Sequence, residues 1–374
     1  MQVEIPGPEQ KLPVVLLTGF LGSGKTTLLA RLLKDPAMAG TAVIINEFGE
    51  IGLDHDLVEA GDESEGTVEL ASGCLCCTIR GDLARTMHGL YGRMREGKIR
   101  SFHRVVIETT GLADPAPILQ TLMQDAAIDH FFRLEAVVTL VDGVNGADTL
   151  DRQPEAVKQA AVADRLVLTK TDLASLDRIQ ALEDRLRRLN PAAPILKVVH
   201  GQIAPDQLLC GGLYDPATKS IDVQRWLAEE AYHGHTHDHG HHHDHDHAHD
   251  HRHHDGQHAH DVNRHDEHIR AFAIRKSEPI PAQAFSLFLD LLTAQRGADL
   301  LRVKGIVHIA EEPERPLVFH AVQHVMHPPV TLDRWPSADR DTRLVFIVRD
   351  IDKAQIQNFL DALTRAHGSL AGAG

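Results

Sequence analysis

Cysteine is scarce in this chain of 374 residues, which contains only four. Cys74, Cys76 and Cys77 fall together in the stretch ELASGCLCCT, and the fourth is Cys210. Cysteines this few and this crowded do not form a disulfide framework. In a reducing compartment, neighbouring thiols instead typically hold a metal ion or carry out redox chemistry.

Aromatic residues, basic charge and long apolar runs are also in short supply. Aromatic side chains make up 4% of the chain, too few to suggest stacking on nucleic-acid bases. The net charge of −15 argues against nucleic acid as a partner, because such binding needs clustered Lys and Arg. The apolar runs VVLL and AVVTLV are only strand-sized, and no export signal opens the chain. We therefore expect a cytoplasmic protein without a membrane partner.

The order of apolar segments predicts two domains and a linker. In residues 1–232, short apolar strands alternate with amphipathic helices, a pattern typical of a parallel sheet covered on both faces. Residues 233–268 hold 17 of the 27 histidines among Asp and Gly, and we predict a disordered linker there. In residues 269–374, a different pattern of strands and helices predicts a smaller α+β domain.

A phosphate-binding motif gives the first domain its chemistry. GFLGSGKT follows the strand VVLLT and precedes a helix, as the motif GxxxxGK[ST] requires. The fold class that we predict is therefore an α/β P-loop NTPase with a doubly wound, mostly parallel sheet. Lys25 would neutralise the β- and γ-phosphates, and the Thr26 hydroxyl would bind Mg²⁺. The predicted nucleotide contacts in this stretch are Gly19, Gly22, Ser23, Gly24, Lys25, Thr26 and Thr27.

Two later stretches occupy positions that a nucleotide switch needs. Glu108 ends the strand RVVIET, where a carboxylate can bind Mg²⁺ or its water, and Gly111 can sense the γ-phosphate. Lys170 and Asp172 lie in TKTD after another strand, and a carboxylate at Asp172 can select guanine over adenine. As candidate catalytic residues we take Lys25, Thr26 and Glu108.

In combination, these stretches resemble the CobW-type family of metallochaperone GTPases. The resemblance rests on TGFLGSGKTT, INEFGEIGLD, ELASGCLCCT, ETTGLADP, LVDG and TKTD, across roughly residues 12–200. It implies that GTP hydrolysis drives delivery of Zn²⁺, Co²⁺ or a similar ion to a client protein, and that the three clustered cysteines bind the metal. Thr169 stands where that family has Asn, which we expect to alter the strength of guanine binding more than the choice of base. RVKG at 302–305 resembles a motif of the family's C-terminal domain, but it suggests no chemistry for Lys304.

The C-x-C-C cluster suits a transferable metal ion. Placed in a short loop, these thiolates can face one ion, and thiolates favour Zn²⁺ or Cu(I) while tolerating Co²⁺. Glu47 and Glu50 lie where such GTPases carry a switch, so a carboxylate from that segment would link metal affinity to the nucleotide. A redox-active thiol pair and buried structural cysteines are the alternatives.

Our functional hypothesis is a GTP-dependent metallochaperone, with GTP, Mg²⁺ and Zn²⁺ or Co²⁺ as its ligands and a client metalloprotein as its partner. The histidine tract would capture metal, although it could serve only as a spacer. Three other functions fit some of the residues: cobalt handling for cobalamin synthesis, a P-loop small-molecule kinase, and metal storage.

Overall fold

The structure is a computed structural model. It describes residues 11–46, 58–62, 67–70, 75–78, 82–209, 268–327 and 329–371. The predicted histidine-rich linker, apart from His268, and the isolated Cys210 lie outside these residues. Within the described part of the chain, no helix is long and apolar enough to cross a membrane.

The amino-terminal domain is built on one nine-stranded sheet. Its strands are β1 (Leu12–Gly19), β2 (Thr41–Asn46), β3 (Val58–Asp62), β4 (Thr67–Leu70), β5 (Leu75–Thr78), β6 (Arg104–Thr109), β7 (Phe132–Asp142), β8 (Arg165–Thr169) and β9 (Ile195–Val198). They lie in the order β3-β4-β5-β2-β6-β1-β7-β8-β9. From β5 to β9 every neighbouring pair is parallel, whereas β3 and β4 pair antiparallel at one edge. The predicted mostly parallel sheet is thus confirmed.

Helices cover both faces of this sheet. They are α1 (Lys25–Leu32), α2 (Leu83–Arg95), α3 (Pro115–Gln124), α4 (Ala126–Phe131), α5 (Gly146–Arg152), α6 (Pro154–Val162), α7 (Leu176–Leu189) and α8 (Pro205–Leu209). Three of the helices begin at an aspartate that accepts hydrogen bonds from the first turn, as Asp82, Asp114 and Asp125 do. Short 3₁₀ turns occur at Pro36–Met38 and Gly297–Asp299.

The carboxyl-terminal domain is a second, antiparallel sheet with helices on one face. Its elements are β10 (Ile269–Lys276), α9 (Ala282–Arg296), β11 (Leu300–Val307), β12 (Leu317–Val322), β13 (Val325–Met326), β14 (Val330–Thr331), β15 (Thr342–Arg349) and α10 (Lys353–Ala371). The strand order is β10-β15-β11-β12-β13, with β14 also paired to β12. The predicted α+β architecture is confirmed, and α9 and α10 share one core with the sheet.

The opposite face of the second sheet packs on the first domain. Leu301 and Ile306 of β11 belong to one buried cluster with Ala160 of α6 and Leu182 of α7. Val325 of β13 belongs to another, which includes α3. The carboxyl-terminal domain therefore rests on α3, α6 and α7, and α3 and α6 also flank the loop after β6.

Candidate functional site

The predicted phosphate loop joins β1 to α1. Gly19 ends β1, and Gly22 and Gly24 have φ angles of 74° and 92°, in the left-handed region that favours glycine. α1 begins directly after Gly24, its first turn has no cap from any described side chain, and Thr27 in that turn is exposed. A helix N-terminus preceded by such a loop presents backbone N–H groups to an anion. This local structure fits a bound phosphate.

Lys25 lies along the phosphate loop. Only 6% of it is exposed, and its ammonium group donates hydrogen bonds to the carbonyl oxygens of Gly19 at 2.9 Å and Phe20 at 3.4 Å. The loop's own backbone thus holds in place the side chain that is predicted to neutralise the phosphates.

Thr26 and Glu108 meet beside this loop. The Thr26 hydroxyl donates to Oε1 of Glu108 at 2.9 Å, and Glu108 is fully buried at the carboxyl end of β6, next to β1. A hydroxyl and a carboxylate are hard oxygen donors, the type that Mg²⁺ prefers. Their chemistry therefore fits a magnesium ion, with Thr26 and Glu108 as the residues that would hold it.

Gly111, the predicted γ-phosphate sensor, lies directly against the phosphate loop. A Cβ atom added at Gly111 would come within 2.7 Å of the backbone nitrogen of Leu21. Because glycine has no Cβ, the two backbones can approach this closely. The segment that follows β6 therefore touches the phosphate loop, and a shift of one backbone would displace the other.

Two side chains, one at the end of β8 and one just after it, contact the phosphate loop. The Thr169 hydroxyl donates to the carbonyl oxygen of Ser23 at 2.8 Å, and the Lys170 ammonium donates to that of Gly22 at 2.7 Å. Lys170 also pairs with Asp142 at 2.7 Å. Burial alone would raise the pKa of Asp142, but hydrogen bonds from Lys170 and from two backbone N–H groups hold it below its ordinary value. Asp142, which sequence reasoning did not single out, thus stays ionised and orients Lys170.

Asp172, the residue predicted to select guanine, is exposed in the same loop. Its Oδ2 lies 3.7 Å from Nε2 of His200, in the loop after β9. The carbonyl oxygen of His200 accepts a hydrogen bond from Arg31 of α1 at 2.5 Å. The loops after β8 and β9 therefore meet beside the phosphate loop, a position that fits a base pocket. No motif in the sequence pointed to His200.

The proposed metal ligands are only partly described. Cys76 and Cys77 belong to β5, so the expectation that they lie in a loop is wrong. Four residues are too few for a strand to be recognised by its periodicity. Cys74, Glu47 and Glu50 lie outside the described residues. Where side chains are described, no group of three or more His, Cys, Asp or Glu could hold a metal ion. Ligation by these five residues remains a prediction.

The strand register relates β5 to the strand that ends in Glu108. Ile45 of β2 pairs with Thr78 of β5 on one side and with Glu108 of β6 on the other. Neighbouring strands lie about 4.8 Å apart, so the backbone just after Cys77 is roughly 10 Å from that of Glu108. The intervening strand, β2, is followed directly by the segment that contains Glu47. Strands β5 and β6 thus end at the same edge of the sheet, two strand spacings apart.

Comparisons with known proteins cover both domains. Residues 13–197 match the family model described as CobW/HypB/UreG, nucleotide-binding domain. Residues 269–364 match the one described as Cobalamin synthesis protein cobW C-terminal domain.

Individual relatives match over almost the whole chain. The zinc chaperone YjiA of Escherichia coli is 31% identical over 347 residues, covering 92% of this chain and 96% of that protein. The zinc chaperone CobW of Pseudomonas aeruginosa is 32% identical over 382 residues, covering 94% and 91%. The crystal structure of the Zn(II)-bound YjiA GTPase from E. coli has a TM-score of 0.68 at 28% identity, covering 94% of this chain and 99% of that chain.

Proposed function

The chain belongs to the CobW family of P-loop GTPases, and from this premise we propose that it carries zinc on a C-x-C-C site and transfers it to a client metalloprotein. It is a GTPase that converts GTP to GDP and phosphate, as its relatives' names indicate. The names of its relatives also support the function of a GTP-dependent metal chaperone. The cysteine ligands, the choice of zinc and the transfer step are our proposals.

One observation carries the proposal. β2 lies between β5, which contains Cys76 and Cys77, and β6, which contains Glu108. Ile45 of β2 pairs with Thr78 of β5 on one side and with Glu108 on the other. A segment that leaves the carboxyl end of β2 can therefore reach both sites. If GTP orders residues 47–54, Glu47 or Glu50 would add a carboxylate to the thiolates, which would make zinc affinity depend on the nucleotide.

The described residues supply the nucleotide half of the cycle. Lys25 lies in the loop that would surround the phosphates, and its charge would stabilise charge that develops during phosphoryl transfer. Magnesium, held by Thr26 and Glu108, would neutralise charge on the phosphate oxygens. Asp172 would accept hydrogen bonds from guanine. Lys170 would support the phosphate loop through its hydrogen bond to the carbonyl oxygen of Gly22. Hydrolysis would relax the segment after β2 and release zinc to the client.

The test is a zinc titration of the full metal-free chain with GTP, with GDP and without nucleotide. We expect zinc affinity to differ at least tenfold between the GTP and GDP states, a coupling free energy of about 1.4 kcal/mol. The same titrations with Cys76→Ser should show weaker binding and no nucleotide dependence.

Cys210→Ser provides the matched control, because it removes the one cysteine outside the cluster. It should leave both affinities unchanged. Equal zinc affinities in all three nucleotide states of the wild type would refute the coupling. Retention of nucleotide-dependent binding in Cys76→Ser would refute the assigned ligand.

A further inference from the structure

Gln159 of α6 contacts the predicted γ-phosphate sensor, although no sequence motif marked it. It is completely buried. Its side-chain amide nitrogen donates to the carbonyl oxygens of Ala113 at 2.9 Å and Gly111 at 3.4 Å. These acceptors are the two ends of the three-residue segment whose first residue, Gly111, lies against the phosphate loop. One side chain thus holds both ends of that segment.

The helix that carries Gln159 is firmly anchored. The Thr139 hydroxyl, on β7, donates to the backbone oxygen of Gln159 at 2.7 Å. The Asn190 side chain donates to three carbonyl oxygens at the carboxyl end of α6, at 2.9–3.1 Å. Lys158, next to Gln159, pairs with Asp114 at 2.6 Å. A side chain on so fixed a helix can hold a neighbouring loop in one position.

An amide is well suited to this position, whereas packing alone would favour an apolar residue. A glutamine amide has two N–H donors, enough for two carbonyl oxygens, and it carries no charge. Its Oε1 makes no hydrogen bond to the described residues, and Gln159 lines a cavity of about 130 Å³ together with Ser23, whose hydroxyl is likewise buried without a described partner. A buried polar atom without a partner destabilises the fold by about 1–3 kcal/mol. The donor function of the amide is a reason to keep glutamine here.

We propose that Gln159 is a positioning residue for GTP hydrolysis, which holds the segment from Gly111 to Ala113 against the phosphate loop. The inference rests on the proposed GTPase function and adds to it a residue that would act through the segment that it holds. Because the segment abuts Leu21, losing its two hydrogen bonds to α6 lets it move away from the phosphates. The rate of hydrolysis should then fall more than nucleotide binding.

The experiment measures kcat and KM for GTP hydrolysis by the full chain, together with the single-turnover rate, and the affinity for GDP in parallel. In Gln159→Glu, burial favours the neutral carboxyl group, whose single O–H can donate to only one of the two carbonyl oxygens. In Gln159→Leu the volume is retained and the donor is lost. We expect each substitution to lower kcat roughly tenfold, while KM for GTP and the affinity for GDP change less than threefold.

Gln120→Glu is the matched control, because it makes the same exchange at an exposed position on α3. It should hydrolyse GTP at the wild-type rate. A folded Gln159→Leu with kcat within twofold of wild type would overturn the proposal. So would a fall in GDP affinity as large as the fall in kcat, or loss of folding in both Gln159 variants, since either would indicate a purely structural role. A wild-type chain that hydrolyses no GTP would refute the proposed function, and this inference with it.

Discussion

Two lysines of this protein are equally buried, yet their surroundings differ. Lys25 of the phosphate loop and Lys304 of β11 are each 6% exposed. Lys25 donates to carbonyl oxygens of its own loop, whereas Lys304 donates to the carboxylate of Asp164, across the contact between the domains, at 3.1 Å. Carbonyl oxygens have no net charge, so a lysine that they hold can still attract an anion. Burial alone therefore does not distinguish the lysine of the phosphate loop from the lysine between the domains, and the acceptors of each must be compared as well.

The carboxylate of Asp164 pairs with two cations, Lys304 and Arg302. Arg302 also donates to this carboxylate and to the carbonyl oxygen of Val162. Burial alone would raise the pKa of Asp164, but the charges of Arg302 and Lys304 hold it far below its ordinary value. Burial and the charge of Arg302 lower the pKa of Lys304 to about 8, although Asp164 opposes the shift. Because arginine does not deprotonate, Lys304 is the cation that can lose its proton.

The largest expected effect comes from exchanging each of the two lysines for methionine and comparing the two variants. Lys25→Met should lower the rate of GTP hydrolysis about 100-fold, equivalent to about 2.7 kcal/mol, because the charge that stabilises the phosphates is lost. Its free energy of unfolding should stay within about 1 kcal/mol of wild type, since the contribution of a typical hydrogen bond to a carbonyl oxygen, such as those of Lys25 to Gly19 and Phe20, is of that size. Lys304→Met should hydrolyse GTP at close to the wild-type rate. Single-turnover hydrolysis and urea unfolding measure the two quantities.

The proposed difference between Lys25 and Lys304 would be contradicted if both variants lost GTP hydrolysis to the same degree. That result would mean that the contact between the domains is as important for the reaction as the phosphate loop. It would also fail if Lys25→Met unfolded as readily as a variant with a broken buried ion pair, because Lys25 would then be primarily structural.

A smaller effect tests the charge state of Lys304 through pH. The pKa of Lys304 is lowered in the folded state, to about 8 from 10.5. Between these values the unfolded chain binds the proton and the folded chain does not, so stability due to this group rises with pH. From pH 8 to pH 10, the free energy of unfolding of the wild type should rise by about 2 kcal/mol relative to Lys304→Met. Urea unfolding at several pH values checks this, and parallel curves for the two proteins would contradict it.

Sequence motifs predicted the phosphate half of the candidate site because its parts are local or lie at strand ends. GFLGSGKT contains its own turn and helix start, so the placement of Lys25 follows from the motif. Thr26 and Glu108 are 82 positions apart, yet both were predicted to bind magnesium, because the ends of parallel strands meet at one edge of the sheet. The two side chains do lie 2.9 Å apart, and magnesium binding by them stays a prediction.

Contacts between distant elements could not be predicted in this way. Gln159 reaches Gly111 across 48 positions, and Arg302 reaches Asp164 across 138. Both contacts depend on how α6 is oriented and on where the second sheet docks, and neither orientation has a local signature. RVKG was recognised as a family pattern without a chemistry, and its two cations prove to bind the amino-terminal domain. The fold followed from the alternation of strands and helices, whereas the function of single buried polar residues did not.

The smallest expected effect concerns the uncharged hydrogen bond from Thr169 to the loop that contains Lys25. The Thr169 hydroxyl lies 2.8 Å from the carbonyl oxygen of Ser23 and 3.2 Å from that of Val141. Thr169→Val retains the shape and removes this donor, which should destabilise the phosphate-loop conformation by about 1 kcal/mol. GTP and GDP should therefore both bind roughly fivefold more weakly, because the loop is common to both complexes. Binding of fluorescent guanine nucleotides measures the change.

Thr169→Asn sharpens the same test, because it installs the residue that the family pattern has at this position. An asparagine amide also offers N–H donors to both carbonyl oxygens, so this variant should bind GTP and GDP at least as tightly as wild type. Thr171→Val, two positions further along the same loop, is the control and should leave affinity unchanged. If Thr169→Val weakened GTP alone, Thr169 would act through the γ-phosphate rather than through the loop. Equal losses for GTP and GDP would instead show that an uncharged hydrogen bond helps to hold the loop that contains Lys25.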